Sequence, residues 1–383
     1  MRQQNIRTWG LFALLLLAAP WVFTSSLGHS LLTQMGIAAI VCLSYNILLG
    51  QGGMLSFGHA VYSGLGAFAA IHALNAALLP VSLVPIAGGV AGALVALLLG
   101  GITAQRSATT FAMVTLGLGE LVGAMAWLFP GVFGGEAGIA GNRVSGSAPF
   151  GISFGPQVQV YYLVAAYTWV CAGLMYAFTR TPLGRMLNAV RDNPERVEFV
   201  GYDTRRIRYL AIVVAGFFAG ISGGLAALHF ESVTADVLGS QRSGAYLLFT
   251  FLGGSGYFFG PVIGAVLMVL AFVLLSGITK AWLLYLGLVF VAMVVYVPGG
   301  VASLLRGPRP QLRRLPQYAA FALACTGLAA MVEMVYQLQL RASLGSELRF
   351  FGATLDAAGW PSWAAASLLV LLGAAGFAWT RRK

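Results

Sequence analysis

Long apolar stretches follow one another along the whole chain, and short groups of glycine, proline and charged residues separate them. Most of these stretches reach the roughly 20 residues with which an α-helix crosses the hydrocarbon core of a bilayer. The pattern therefore predicts an all-α polytopic membrane protein with about 10-11 transmembrane helices. The predicted helices cover residues 9–27, 31–50, 56–79, 81–104, 109–129, 158–179, 208–230, 243–276, 281–305, 317–337 and 361–380.

The composition agrees with this pattern. Of the 383 residues, 59% are hydrophobic and 9% are charged, whereas charged residues make up about a quarter of a typical soluble domain. No Asp, Glu, Lys or Arg occurs between Arg7 and Arg106, a run of 98 residues. This run excludes a soluble catalytic domain from that part of the chain. We interpret the first apolar stretch as a retained helix, because a second one follows it almost at once.

The distribution of arginine predicts the orientation in the membrane. Seven of the twenty arginines lie in residues 180–208, and short cytoplasmic loops are the ones that collect Arg and Lys. Counting crossings from there places both termini in the cytoplasm and the loop 130–157, which contains eight glycines, outside. Membrane orientation, rather than binding to nucleic acid, then explains the net charge of +11.

The stretch 243–276 is longer than one crossing needs, and Gly253 and Gly254 interrupt it. We expect a broken or re-entrant helical hairpin here, because glycine breaks helices and broken helices at membrane depth line protein or water. An even number of crossings also keeps Arg306 and the basic residues after it in the cytoplasm. A weak repeat relates this break to residues 52–58, and paired broken segments are typical of a transport site.

Residues 180–208 combine charge with apolar surface. They hold eleven of the 33 charged residues of the chain. Asp192 or Asn193 is a suitable helix N-cap, and Pro194 suits the first helical position that follows. Gly201 is a suitable helix end. We therefore predict one or two short amphipathic helices that serve either as a docking element for a cytosolic motor or as a charged loop on anionic headgroups.

A few polar residues interrupt the predicted membrane helices. Glu120 lies in the middle of one of them, where a charge costs about 2.5 to 3.5 kcal/mol, so it faces a partner or a water-filled path, or it is protonated. Asn46, Ser56 and His59 form a polar group around a glycine-rich break. This group either lines a path or satisfies unwound backbone. Together with Gly253 and Gly254, these residues are the candidates for a translocation path.

Several kinds of chemistry are absent from the sequence. Neither of the two lysines, Lys280 and Lys383, follows a GxxxxG pattern, so a phosphate-binding loop for ATP is missing. The three cysteines are far apart, and no HExxH or Gly-x-Ser-x-Gly motif occurs, which argues against a metal site and against an enzyme. Transport driven by ATP would therefore need a partner. The alternative is an ion-coupled secondary transporter that uses Glu120.

At these segments the sequence resembles the permease family of branched-chain amino acid ABC importers, in particular its LivM-like subunits. The order and spacing of five pieces make the resemblance specific. They are Asn46 to His59 with Gly66 to Phe68, Phe111 to Leu116 with Glu120, Gly134 to Gly138, Gly184 to Gly201, and Leu252 to Gly254 with Gly260 to Ala265.

The resemblance implies a subunit of the bacterial inner membrane that pairs with a second, LivH-like permease and two cytosolic ATP-binding subunits. A periplasmic binding protein would deliver the substrate, and the chain itself would hold no cofactor, since the partners bind ATP. Urea and short amides are alternative substrates within this family. The family's ATPase-coupling loop matches Gly184, Arg185, Arg191, Asn193, Pro194, Arg196 and Gly201.

The resemblance has limits. Where relatives usually place an Asp in the external Gly-Gly-x-Asp-Gly loop, this chain has Ala137 after Glu136. The match fades after residue 316. We therefore expect a permease domain over residues 1–305, a basic cytoplasmic connector over 306–316, and an extra C-terminal helical hairpin over 317–383.

Overall fold

The computed structural model describes residues 2–105, 108–144, 153–279, 281–297, 299–306, 315–339, 347–350 and 353–381. These residues are almost entirely helical. The helices are α1 (Arg2–Val22), α2 (Ser26–Asn46), α3 (His59–Asn75), α4 (Val84–Thr103), α5 (Ala108–Leu128), α6 (Pro130–Phe133), α7 (Gln157–Arg180), α8 (Pro182–Asp192), α9 (Pro194–Phe199), α10 (Thr204–Phe230), α11 (Ser240–Gly253), α12 (Gly260–Val269), α13 (Ser276–Ile278), α14 (Trp282–Tyr296), α15 (Gly300–Arg306), α16 (Leu315–Gln339) and α17 (Trp360–Arg381). Short strands β1 (Ile139–Ala140), β2 (Ser232–Val233), β3 (Glu347–Phe350) and β4 (Ala353–Asp356) form two antiparallel pairs, β1 with β2 and β3 with β4.

The predicted class, an all-α polytopic membrane protein, is confirmed. Within the described residues, six helical segments are long and apolar enough to cross a membrane, and three shorter apolar helices accompany them. The count of ten or eleven crossings stays a prediction. The six segments are Ser26–Gln51, Val81–Thr103, Thr109–Leu128, Gln157–Arg180, Thr204–Phe230 and Gly260–Ile278.

The predicted break within residues 243–276 is confirmed, since α11 ends at Gly253 and α12 begins at Gly260. One helix over 281–305 is wrong, because α14 ends at Tyr296 and α15 begins only at Gly300. Gly299 lies between the two helices, and Gly300 has φ +70°, a left-handed conformation that interrupts a helix.

Contacts divide the chain into two compact units, the first formed by residues 1–269 and 296–303, the second by 270–295 and 304–383. In the first unit, α4 and α10 pack through glycine. A Cβ at Gly92 would collide with the carbonyl oxygen of Gly216, and one at Gly220 with that of Gly88. Glycine at these positions lets the two backbones touch, which is how helices associate closely in a membrane.

At one end of the first unit, the long loop after α5 is tied to the end of α10. Strand β1 in this loop pairs with β2, a contact that the sequence pattern did not predict. Arg143 of the loop is buried, its Nε lies 3.9 Å from Oε1 of Glu231, and Oε1 accepts a hydrogen bond from the Arg143 N–H at 3.0 Å. Its guanidinium donates to the carbonyl oxygens of Phe154, Gly155, Leu228 and His229.

In the second unit, α16 and α17 pack closely, and a Cβ at Gly373 would lie 2.7 Å from the Cα of Ala324. Glu333 of α16 accepts hydrogen bonds from Thr279 and, at 3.0 Å, from Tyr285 of α14. These bonds tie α14 to the C-terminal helices. The expected domain boundaries at 305 and 316 stay predictions, and most of the expected connector lies outside the described residues.

Candidate functional site

The helix α2 does not end cleanly but passes into a π-helical turn, Ile47–Gln51, and then into non-helical chain until α3 begins at His59. We call residues 47–58 the first break. Gly53 has φ +64°, a left-handed conformation that costs other residues about 1 to 2 kcal/mol. The N–H groups of Gly52 and Met54 both reach the carbonyl oxygen of Leu48, at 3.1 and 2.9 Å. Single π-helical turns are frequent at functional sites.

Buried side chains at the end of α2 support the first break. The hydroxyl of Tyr45 donates to the carbonyl oxygen of Ser56 at 2.9 Å and accepts from the Ser56 N–H at 3.0 Å. It thereby satisfies both backbone groups of an unwound residue. The Ser44 hydroxyl and Nε2 of His59 lie 2.7 Å apart. Satisfying unwound backbone is one of the two roles predicted for the group of Asn46, Ser56 and His59. At Ser56, Tyr45 performs this role.

Three polar atoms at the first break have no protein partner among the described residues. They are Oδ1 of Asn46, Oγ of Ser56 and Nδ1 of His59. All three side chains are at most 3% exposed. A buried polar atom without a hydrogen bond costs about 1 to 3 kcal/mol, so these three atoms are suited to bind water or a polar solute.

The second break, residues 254–259 between α11 and α12, lies against the first. Gly254 has φ +114°, and Gly253 packs against the backbone of Gly260. A Cβ at Gly50 would collide with the carbonyl oxygen of Ser255 and with Oδ1 of Asn46. The first break therefore touches the second through Gly50, which lies just before the repeated residues 52–58.

Aromatic packing holds the second break in place. Phe258 and Phe259 lie 6.4 and 5.5 Å, centroid to centroid, from the ring of Trp9 in α1. Phe258 also packs edge-on against Tyr176 of α7 at 5.0 Å. The guanidinium of Arg180, at the end of α7, sits 4.8 Å from the centroid of the Tyr176 ring, a cation–π contact. The second break thus lies at the end of the unit where α8 begins.

Residues 182–199 form the two short helices that the sequence predicts. Oδ1 of Asn193 accepts a hydrogen bond from the Arg196 N–H at 3.0 Å and caps α9, with Pro194 at its first position. Gly201, with φ +92°, follows α9. The predicted cap and end are confirmed. Gly184 is buried against the backbone of Phe178, and no Cβ would fit between them.

One face of α8 lies directly against the first break. Asn188 donates a hydrogen bond to Oε1 of Gln51 at 2.8 Å. Arg191 donates to the carbonyl oxygen of Gly50, and its Cγ lies 2.7 Å from where a Cβ of Gly53 would stand. The guanidinium of Arg191 thus points toward the membrane helices, although the sequence groups it with residues expected to meet an ATPase.

The opposite face of this segment is open. We call Arg185, Arg196, Phe199, Val200 and Tyr202 the coupling surface. Both arginines are exposed, and the three apolar side chains are 90%, 70% and 50% exposed in that order. An exposed apolar cluster flanked by charge is typical of a protein interaction site.

Glu120 does not join the buried polar group. Thr115 of α5 accepts a hydrogen bond from the Phe57 N–H at 3.1 Å, and Gly119 lies close to Gly58. Glu120 is exposed on the other side of α5. The candidate path residues therefore fall into two sets, one around the two breaks and one on the outer face of α5.

Sequence reasoning missed Ser44, Tyr45, Thr115 and Asn188. Asn188 shows a usable signal, because Leu187, Asn188 and Arg191 share one face of α8 by helical spacing. Tyr45 and Thr115 show none, since their partners lie in other segments. Among the described residues, no group of three His, Cys, Asp or Glu side chains is placed to hold a metal ion.

Residues 28–298 match the protein family described as branched-chain amino acid transport system / permease component. The chain belongs to this family. It is 31% identical over 332 positions to the high-affinity branched-chain amino acid transport system permease protein LivM of Escherichia coli, covering 79% of this chain and 76% of that one. The family match over residues 28–298 includes both breaks, α8, α9 and the outer face of α5. The chain is thus a multi-pass membrane protein of a permease family.

Two further relatives have lower sequence identity to the chain. A probable branched-chain amino acid transport permease protein LivM of Methanocaldococcus jannaschii is 25% identical, over 71% of this chain and 92% of that one. The fructose import permease protein FrcC of Rhizobium meliloti is 27% identical, over 49% of this chain and 54% of that one. No solved structure is significantly similar to the chain.

Proposed function

We propose that this chain is a transmembrane permease subunit of an ATP-binding cassette importer for branched-chain or other hydrophobic amino acids. It pairs with a second, related permease, takes its energy from two separate cytosolic ATP-binding subunits and receives substrate from a periplasmic binding protein. It has no catalytic residues of its own, and it lies in the bacterial inner membrane with both termini in the cytoplasm.

The observation that carries this proposal is the pair of faces on α8 and α9. The inner face is bonded to the first break through Asn188 and Arg191. The coupling surface on the outer side is open, with Phe199 90% exposed. An element with one face bonded to a broken membrane helix and the other free for a partner is suited to transmit movement. Because the chain lacks a phosphate-binding loop, the partner must supply the ATP site.

The transport cycle then follows from a two-state equilibrium. Closure of the ATP-binding subunits around nucleotide displaces the coupling surface, and α8 carries this displacement to the first break. Nucleotide acts by binding one conformation better than the other, which shifts the populations of an inward-open and an outward-open state.

The proposed substrate rests on the relatives. The relatives named LivM are branched-chain amino acid permeases by name and match 79% and 71% of the chain, whereas the fructose permease matches 49% of it. Urea and short amides are the second candidates. Uptake assays with leucine, phenylalanine, urea and fructose in cells that express the complete set of subunits would separate these classes, and we expect leucine to be taken up best.

A second function is favoured by one observation. Glu120 is exposed on α5, where a charge facing lipid is costly, and a proton-coupled secondary transporter would use such a carboxylate. We assign Glu120 instead to the contact with the second permease or to the path between the two permeases. Proteoliposomes that contain this chain alone decide between the two functions, because uptake driven by a proton gradient without ATPase would establish the secondary transporter.

The coupling surface is tested by charge reversal. We expect Arg185→Glu with Arg196→Glu to abolish co-purification of the ATP-binding subunits and to reduce ATP-driven uptake by at least about tenfold, equivalent to about 1.4 kcal/mol. Glu136→Arg is the matched control, since it changes the charge of an exposed residue in the loop after α5. Unchanged assembly and uptake in the double variant would contradict the proposal.

A further inference from the structure

We propose that the first and second breaks together form a gate that α8 operates, and that Asn46, Ser56 and His59 provide the polar lining which solute or water meets when the gate opens. This inference rests on the proposed function, because ATP-driven movement of α8 is what would open the gate. Three independent features of the structure support it.

The first feature is the contact between the two breaks. The backbone of Gly50 lies so close to the carbonyl oxygen of Ser255 that no side chain fits between them. Non-helical backbone at membrane depth is tolerated where it is buried in protein or lines water. In the conformation described here, each break covers the other. Separating them would expose backbone that is already unwound, so opening requires no helix to melt.

The second feature is the set of unpaired atoms behind this contact. Oδ1 of Asn46, Oγ of Ser56 and Nδ1 of His59 have no protein partner in the described part of the chain. Burying any one of these atoms without a hydrogen bond costs about 1 to 3 kcal/mol of folding free energy. Water or a polar solute that enters on opening would satisfy all three. Opening would therefore give these atoms hydrogen bonds that the protein itself does not supply.

The third feature is the pair of hydrogen bonds that attaches α8 to the first break. Arg191 of α8 donates a hydrogen bond to the carbonyl oxygen of Gly50, and Asn188 donates one to the side chain of Gln51. Asn188 is half-buried and Arg191 is 39% exposed, so α8 can withdraw into water without leaving a buried charge behind. Withdrawal of α8 would remove two hydrogen bonds from the first break at once, and this makes the gate respond to the position of the coupling surface.

The gate is tested by the reactivity of Ser56→Cys in the complete complex. The background carries serine in place of the three native cysteines. A hydrophilic methanethiosulfonate reagent is applied without nucleotide and with ATP plus vanadate. We expect the rate to differ between the two states by at least about tenfold. Ser63→Cys is the matched control, because Ser63 is equally buried in α3 but donates to the carbonyl oxygen of Ala60, and it should stay unreactive in both states.

A second measurement tests the role of α8. In Arg191→Ala with Asn188→Ala, the ATP-binding subunits should still co-purify and hydrolyse ATP, whereas the nucleotide dependence of Ser56→Cys labelling should disappear and uptake should fall. If Ser56→Cys reacts no faster than Ser63→Cys in every state, the gate is overturned. The same holds if the double alanine variant keeps full nucleotide dependence.

The failure of this inference is distinguishable from failure of the proposed function. The cysteine-free complex is first assayed for ATP-driven uptake. Uptake with an unreactive Ser56→Cys overturns the gate alone. Absence of uptake and of co-purified ATP-binding subunits from the unmodified chain overturns the proposed function, and the gate with it.

Discussion

Two arginines at opposite ends of the first unit each hold a segment against a helix end. Arg143 holds the loop after α5 against the end of α10, and Arg191 holds α8 against the first break, which follows α2. Arg143 is 8% exposed and donates to four carbonyl oxygens beside the end of α10. Arg191 is 39% exposed and donates to one carbonyl oxygen of the first break, with the remainder of its bonds going to the exposed Asp192. A buried, fully bonded arginine fixes a loop, whereas an accessible one with a single inward bond permits movement.

The difference matches the roles that the two ends have in the proposed function. The end with Arg143 also carries the β1–β2 pair and the hydrogen bond from Asn75 to Ala140 at 2.9 Å, so it presents a rigid surface. The end with Arg191 carries two glycine-rich breaks and a π-helical turn. Under the proposed function, the end with Arg143 faces the binding protein that delivers substrate, and a rigid surface suits that contact. The end with Arg191 faces the ATP-binding subunits, and a segment that can move suits that one.

The largest effect is expected for Arg143→Ala. This change leaves four carbonyl oxygens, three of them in buried hydrogen bonds, without their side-chain donor and Glu231 without its ion-pair partner. Each buried acceptor that loses its donor costs about 1 to 3 kcal/mol, and several are lost together. The melting temperature of the purified chain in detergent should fall more than for any other variant here. Arg191→Ala is the comparison, and a fall of the same size for that variant would remove the distinction between the two arginines.

A smaller effect is expected for Gly53→Ala. Its φ of +64° costs alanine about 1 to 2 kcal/mol, and the new Cβ would lie 2.7 Å from Cγ of Arg191. The rate of uptake should fall by a larger factor than the melting temperature indicates, because the new side chain forces α8 away from the first break. Gly101→Ala is the control, since the space around Gly101 is open. Normal uptake by Gly53→Ala would show that α8 does not need this contact.

A still smaller effect is expected for Glu231→Gln. Its side chain is 36% exposed, its ion pair with Arg143 is long at 3.9 Å, and glutamine retains an acceptor for the Arg143 N–H. Partly exposed ion pairs contribute at most about 1 kcal/mol, so the melting temperature should change little. A loss comparable with that of Arg143→Ala would mean that the ion pair, rather than the four carbonyl bonds, holds the loop.

The smallest perturbation tests the orientation of the two ends. Glu136→Cys and Phe199→Cys replace exposed residues at opposite ends and should leave stability unchanged. A membrane-impermeant maleimide applied to intact cells should label Glu136→Cys only. Labelling of Phe199→Cys from outside would invert the proposed orientation and remove the coupling surface from the cytoplasm.

Much of the fold follows from local features of the sequence. Apolar stretches separated by glycine and charge determine where helices begin and end, and the caps at Asn193 and Gly201 follow from side-chain chemistry and from φ. The break at Gly253 and Gly254 follows in the same way. These features act over a few residues, so a single sequence is enough to predict them.

The remainder depends on contacts between distant segments. The hydrogen bonds of Tyr45 to Ser56, the pairing of β1 with β2, and the inward direction of Arg191 each require the helices to be assembled first. Glu120 shows another limit. Its hydropathy context predicts burial, yet it is exposed, and under the proposed function the surface that covers it belongs to another subunit. No pattern within one chain specifies that surface.

The π-helical turn Ile47–Gln51 contains one residue more than an α-helical turn would use. If that turn reverted to α geometry, the residues at its end would be drawn along the axis of α2 by about 1.5 Å and rotated by about 100°. Gly50 would then no longer face Ser255. A register slip of a single residue would therefore convert a small movement of α8 into a rotation of the backbone that covers the second break.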